Sequence, residues 1–193
     1  MPITLQTLKE LLTAPHEVLP KKAKMKDRNE AIVILVMNWI LVVAGIALIS
    51  NNYSLIPAIL VLGILGTLIV AFFVYLALTL AGGKGDYTSV LVSVTYPFFG
   101  ISFSTLIISL IHLWSKSASI AAGVILFPLY YVVGLIGMFR VLKENFRVDL
   151  VTIWVIISLL ALAILLAIYE VAILYAFASN FSTELIRSIT QSL

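Results

Sequence analysis

The sequence predicts an all-α fold, a polytopic membrane bundle of five transmembrane helices with a short amphipathic helix ahead of it on the cytoplasmic side. Two observations predict it. Between Ala31 and Phe181 lie five long apolar stretches separated by short breaks, and the charges fall almost entirely in those breaks and in the first thirty residues. The composition agrees: 62% of residues are apolar and 11% charged, with a mean hydropathy of +1.16, against about 25% charged for an ordinary soluble domain. In hydrocarbon every backbone N–H and C=O has to be paired within its own segment, so about 20 apolar residues in a helix cross a core about 30 Å thick. Five such spans take up most of 193 residues and leave no room for a second globular domain.

The spans read as Ala31–Ser50, Leu55–Leu80, Tyr87–Leu113, Ser119–Phe139 and Leu150–Phe177. They divide the chain into a cytoplasmic segment 1–30, a membrane domain 31–181 and a short tail 182–193 outside. Between the second and third spans, Ala81-Gly82-Gly83-Lys84-Gly85-Asp86 interrupts the apolar pattern. Three glycines and two opposite charges cannot continue a lipid-facing helix, which makes this a tight hairpin turn.

Ahead of the first span, Leu5, Leu8, Leu11 and Leu12 share one helical face, with Gln6, Lys9 and Glu10 on the other. This spacing predicts an amphipathic helix over residues 4–12, ended by Pro15 and lying on the inner leaflet. The basic run that follows contributes Lys21, Lys22, Lys24, Lys26 and Arg28. Beside anionic headgroups each such side chain is worth about 1 kcal/mol, although basic flanks of a first span also fix topology by themselves. No apolar region follows a basic start near Met1, so the first span is expected to act as an uncleaved anchor.

Orientation follows from the cations. With the N-terminus inside, Lys9, Lys21, Lys22, Lys24, Lys26, Arg28, Lys84, Arg140, Lys143 and Arg147 lie on the inner side, and only Lys116 and Arg187 lie outside. Cytoplasmic loops retain lysine and arginine. The N-terminus is therefore expected in the cytoplasm and the C-terminus outside.

Within the third span, Ser89, Ser93, Pro97, Gly100 and Ser104 recur at intervals of three and four residues and form one flat helix face. Small residues admit a neighbouring helix closely and serine hydroxyls can bond across the gap, so this stripe is the expected packing seam. Pro97 should kink the helix and leave a carbonyl near Ser93 for another group to satisfy. Gly63 with Thr67, Ser119 with Gly123, and Gly134 with Gly137 are further small-residue pairs, and Pro128 a further kink. Asn38 in the first span is expected to bond to a neighbouring helix. Glu170 is the ionisable residue in the fifth span. About twenty residues from Leu150, it falls near the outer interface, where Lys116 or His112 could pair with it.

Chemistry is poorly served. There is no cysteine, which excludes disulfides and thiolate sites. His16 and His112 fall on opposite sides of the membrane, and no metalloprotease pattern, nucleophile elbow or pair of intramembrane carboxylates occurs. The Gly82–Gly85 turn lacks the spacing of a phosphate loop. No enzyme and no cofactor are expected.

Three features coincide: Pro15-His16-Glu17-Val18-Leu19 ahead of the first span, Leu80-Ala81-Gly82-Gly83-Lys84-Gly85-Asp86-Tyr87 between the second and third, and Tyr130-Tyr131-Val132-Val133-Gly134-Leu135-Ile136-Gly137 running on to Phe146. Together they resemble the Yip domain family, the Ypt/Rab-interacting membrane proteins, over nearly the whole chain. The resemblance implies a five-helix bundle and a non-enzymatic role in membrane traffic or shaping. The chain lacks the long cytosolic N-terminal region and the Asp-Leu-Tyr-Gly-Pro motif of eukaryotic members, which counts against a GTPase partner and matches a bare prokaryotic form in the plasma membrane. The expected function is a scaffold or adaptor that binds a protein, a second copy or anionic lipid headgroups through Lys21–Arg28, Lys84 and Arg140–Arg147. The alternative is a small permease with a solute path near Pro97, Pro128 and Glu170.

Overall fold

The computed structural model of the chain describes residues 5–13, 18–19, 21–22, 27–50, 53–166 and 169. All the regular structure among them is helical. Two compact units divide the chain, one running to Trp154 and one starting at Val155. The first holds α1 (Leu5–Thr13), α2 (Arg28–Ile49), a 3₁₀ turn (Tyr53–Leu55), α3 (Ile56–Leu80), α4 (Tyr87–His112) and α5 (Lys116–Phe146). An apolar helix α6 runs from Leu150 to Leu166. In the second unit the described residues, 155–166 and 169, are helical.

Four helical stretches are long and apolar enough to cross a membrane: Arg28–Ile49, Tyr53–Leu80, Tyr87–His112 and Lys116–Phe146. Helix α6 is shorter, and the remainder of the expected fifth span, with Glu170 and the tail 182–193, lies outside the described residues. The helix α5 is longer than the expected span Ser119–Phe139. It continues through Arg140, Lys143 and Glu144 to Phe146, because Val141, Leu142 and Phe146 keep a buried stripe and Arg140 pairs with Glu144 one turn on at 3.0 Å. At 1.5 Å per residue its 31 residues reach about 46 Å, well beyond an apolar core of about 30 Å.

Helices α2, α4, α5 and α6 start where a short polar side chain can take up their loose amides. Asp27 accepts from the Glu30 amide at 3.0 Å, Asp86 from the Ser89 amide at 2.8 Å, Ser115 from the Ala118 amide at 3.2 Å and Asp149 from the Thr152 amide at 2.8 Å. For α3, Pro57 near the start supplies the fixed φ and needs no donor.

Helix α4 is the centre of the bundle, packed along its length between α2 and α5, with α3 and α1 touching it more lightly. Its stripe carries the packing. Ser89, Ser93, Gly100 and Ser104 are buried, a Cβ added at Gly100 would run into the Tyr130 ring, and one at Gly134 would sit 3.1 Å from Pro97. The hydroxyls do not cross the seam as expected. Ser93 donates to Val90 O at 2.7 Å, Thr95 to Leu91 O at 2.8 Å, Ser102 to Phe98 O at 2.9 Å and Ser104 to Gly100 O at 2.8 Å. A carbonyl three or four residues back on the same helix is simply nearer than any acceptor across the gap. The cross-helix bond comes instead from Asn38, whose Nδ2 donates to Thr95 O at 2.7 Å, two residues before Pro97.

Helix α3 lies at the edge. Trp39 of α2 donates through Nε1 to Thr67 at 3.0 Å and its ring occupies the space a Cβ at Gly63 would need. The rest of α3 presents Val61, Leu62, Leu65, Ile69, Phe72 and Phe73 outward, as a lipid-facing helix does.

Candidate functional site: a cationic end of the bundle

Of the cations singled out in the sequence, Lys21, Lys22, Arg28, Lys84, Arg140, Lys143 and Arg147 are described, at or beside the helix ends where α2, α4 and α6 begin and α3 and α5 finish. The turn after α3 is built for close approach. Gly82 has φ 87°, a left-handed conformation that glycine adopts at no steric cost. The Gly83 amide returns to Leu78 O at 2.9 Å and the Lys84 amide bonds Phe146 O at 3.1 Å. Gly85 lies flat on the Phe146 ring, which a Cβ there would strike. Tyr75 packs edge-on against both Tyr87 and Phe146, with ring centroids 6.0 and 6.3 Å away. The hairpin and the end of α5 are therefore one surface, with Lys84 and Arg147 on it.

The N-terminal segment folds onto the same end. Helix α1 packs against α4 with Leu11 buried, so protein rather than the leaflet covers that leucine. Val18 and Leu19 are buried, and Leu19 takes the space opened by the missing side chain of Gly137. Lys22 departs from the outward role expected for it. Its ammonium meets Glu30 Oε1 at 2.6 Å, with the Glu30 side chain buried and the lysine's 14% exposed, and the buried Tyr96 hydroxyl is turned to the same carboxylate. The Glu30 charge leaves water here because the ammonium satisfies it. Glu30 and Tyr96 were not anticipated as a pair. The legible signal was Asp27-Arg28-Asn29-Glu30, which carries an acidic residue at the third position of a capped helix.

Among the described residues, the carboxylates of the helix ends gathered here are engaged. Asp27, Asp86 and Asp149 cap helices, Glu30 holds Lys22, and Glu144 holds Arg140. The Glu30 amide holds the Asp27 carboxyl below the usual carboxylate range, and the Thr152 hydroxyl and amide do the same for Asp149. In contrast, Lys21, Arg28, Lys84, Lys143 and Arg147 are exposed and form no ion pair among the described residues. Lys24 and Lys26 lie outside the described residues.

At the other end, His112 Nδ1 lies 3.0 Å from Ser119 Oγ, which is also 2.7 Å from Lys116 O. The expected pairing of Glu170 with Lys116 or His112 falls outside the described residues. Trp114 is 92% exposed and Trp154 61% exposed, as interfacial anchors are. Among the described residues no three metal-ligating side chains meet. Comparison with known proteins returns no match. No family model, curated protein or solved structure resembles the chain.

Proposed function

We propose that this protein is a non-enzymatic membrane scaffold or adaptor, whose cationic end faces the cytoplasm and docks an acidic partner surface or anionic lipid headgroups. One observation carries the reading: among the described residues, Asp27, Glu30, Asp86, Glu144 and Asp149 are engaged in caps and internal pairs, while Lys21, Arg28, Lys84, Lys143 and Arg147 stand exposed without an ion pair. Such an array attracts negative charge rather than stabilising its own fold. The Yip-domain resemblance, with the bare prokaryotic form in the plasma membrane, belongs to the same proposal.

The test is charge removal on the purified protein. Lys21→Gln, Lys84→Gln and Arg147→Gln together should abolish binding of vesicles or proteins of opposite charge while the helix content is unchanged; undiminished binding overturns the proposal.

A second reading, a small permease, draws on Asn38. Its Oδ1 is buried without a partner in the seam near Pro97, a polar atom of the kind that lines solute paths at depth. Solute uptake into reconstituted vesicles that is lost on Asn38→Leu would favour it.

A further inference from the structure

The last three turns of α5 and the start of α6 line a groove of about 340 Å³, formed by Ile136, Phe139, Arg140, Lys143, Leu150 and Trp154. Its walls are almost wholly apolar, and both of its cations come from α5. Ile136, Leu150 and Trp154 are exposed, so this is an open slot on the flank of the bundle and not an interior cavity.

Its depth in the membrane follows from helix length. Arg140 is 24 residues beyond Lys116 on one continuous helix, or about 36 Å along its axis. With the α4–α5 turn at one interface, a core of about 30 Å ends just short of Arg140 and Lys143. The cations are then at headgroup level, the Trp154 indole is in the aromatic belt, and Ile136 and Phe139 face the first methylenes of the acyl chains.

An amphipathic slot of this kind matches one ligand chemistry. We infer that this groove is a binding site for a single anionic phospholipid, with its phosphate on Arg140 and Lys143, its headgroup against Trp154 and an acyl chain along Ile136, Phe139 and Leu150. Arg140 Nε is held by Glu144 Oε1 at 3.0 Å, which keeps the guanidinium at the rim and also places one carboxylate near the phosphate. Lys143 has no such partner among the described residues. A basic pocket between membrane helices is a general means of retaining acidic headgroups. The inference rests on the reading of this end as a docking face and narrows it to one lipid and one place.

Brominated lipids test it, because bromine quenches tryptophan only at contact. A Trp39→Phe, Trp114→Phe protein, with Trp154 as its one indole, is reconstituted in phosphatidylcholine vesicles carrying brominated phosphatidylglycerol or, separately, brominated phosphatidylcholine at the same fraction. The expected result is an about fivefold higher local fraction of the anionic lipid at Trp154. It vanishes in Arg140→Gln, Lys143→Gln, rises in Glu144→Gln and is unchanged in Lys116→Gln, at the opposite end of α5. Equal quenching by the two lipids overturns the site. So does selectivity that falls equally with Lys84→Gln, a result that leaves the docking face standing and removes only this groove. Native mass spectrometry of the protein with all its tryptophans gives an independent readout: one retained phosphatidylglycerol, lost in the Arg140, Lys143 variant, supports the site, and none retained overturns it.

Discussion

At the scale of single residues, the pair formed by Lys22 and Glu30 dominates. A buried ion pair contributes little net stability against an apolar replacement, yet removing one member strands the other. Lys22→Met, which strands the buried Glu30, should therefore lower the stability of the purified protein by about 3 kcal/mol, measured by thermal unfolding in detergent, and the Lys22→Met, Glu30→Gln double variant should recover most of the loss. A loss in the double variant as large as in the single one would show that the pair itself, rather than the stranded charge, matters. Their pairing was not legible from the sequence. Eight residues separate them, too far for a helical register, and a basic run beside a membrane reads as solvated. Asn38 was legible, because an amide at depth in an apolar span has to find a partner, and Thr95 O supplies it. Which carbonyl would accept was not legible, since that depends on how α2 is rotated against α4.

Elements were read well where backbone chemistry alone decides them. The hairpin between α3 and α4 follows from its three glycines, and the structure adds what those glycines face, the Phe146 ring. Gly85→Ala should cost about 1–3 kcal/mol by overpacking against that ring, with Phe146→Leu in the same chain restoring part of it; an unaltered melting temperature for Gly85→Ala would refute the contact. At the end of α5, Arg147 takes φ 55°, a conformation that costs a residue with a Cβ about 1 kcal/mol. Arg147→Gly is expected to raise the melting temperature while weakening anion binding, an opposition of sign that a purely structural arginine would not produce. The start of α6 carries a pH dependence. Asp149 titrates below its usual range in the folded protein, so its contribution is present above the ordinary carboxylate range and is lost as the pH falls through the lowered value. Asp149→Asn retains the cap and should remove that part of the acid slope in a melting-temperature profile, whereas Asp149→Ala should lower stability throughout. The length of α5 was misjudged for a physical reason. Hydropathy marks where lipid ends, and Arg140 to Phe146 is a helix held by protein contacts beyond that point.

For the whole molecule, hydropathy made the four long helices legible, and alternation of the chain then fixed which ends share a side. The stripe of Ser89, Ser93, Pro97, Gly100 and Ser104 was legible as one small-residue face, and Ser89, Ser93 and Ser104 are buried. That α4 packs against both α2 and α5 was not legible, since one face does not say how many neighbours a helix has. What composition could not convey is that the acidic residues of the cationic end are engaged, since a formal charge of +3 averages over cations that are paired and cations that are not. This distinction gives orientation a sharper basis. Lys84, Lys143 and Arg147 are exposed at one end and Lys116 at the other, so the lysine and arginine bias that sets topology is carried by residues in contact with the surroundings. The absence of cysteine makes the consequence directly measurable. A single Lys84→Cys protein in intact cells should react with a membrane-impermeant maleimide only after permeabilisation, and a Lys116→Cys protein should react before it. The reverse pattern would place the cationic end outside, where anionic inner-leaflet lipid and cytoplasmic partners are out of reach, and the adaptor proposal would fall with it.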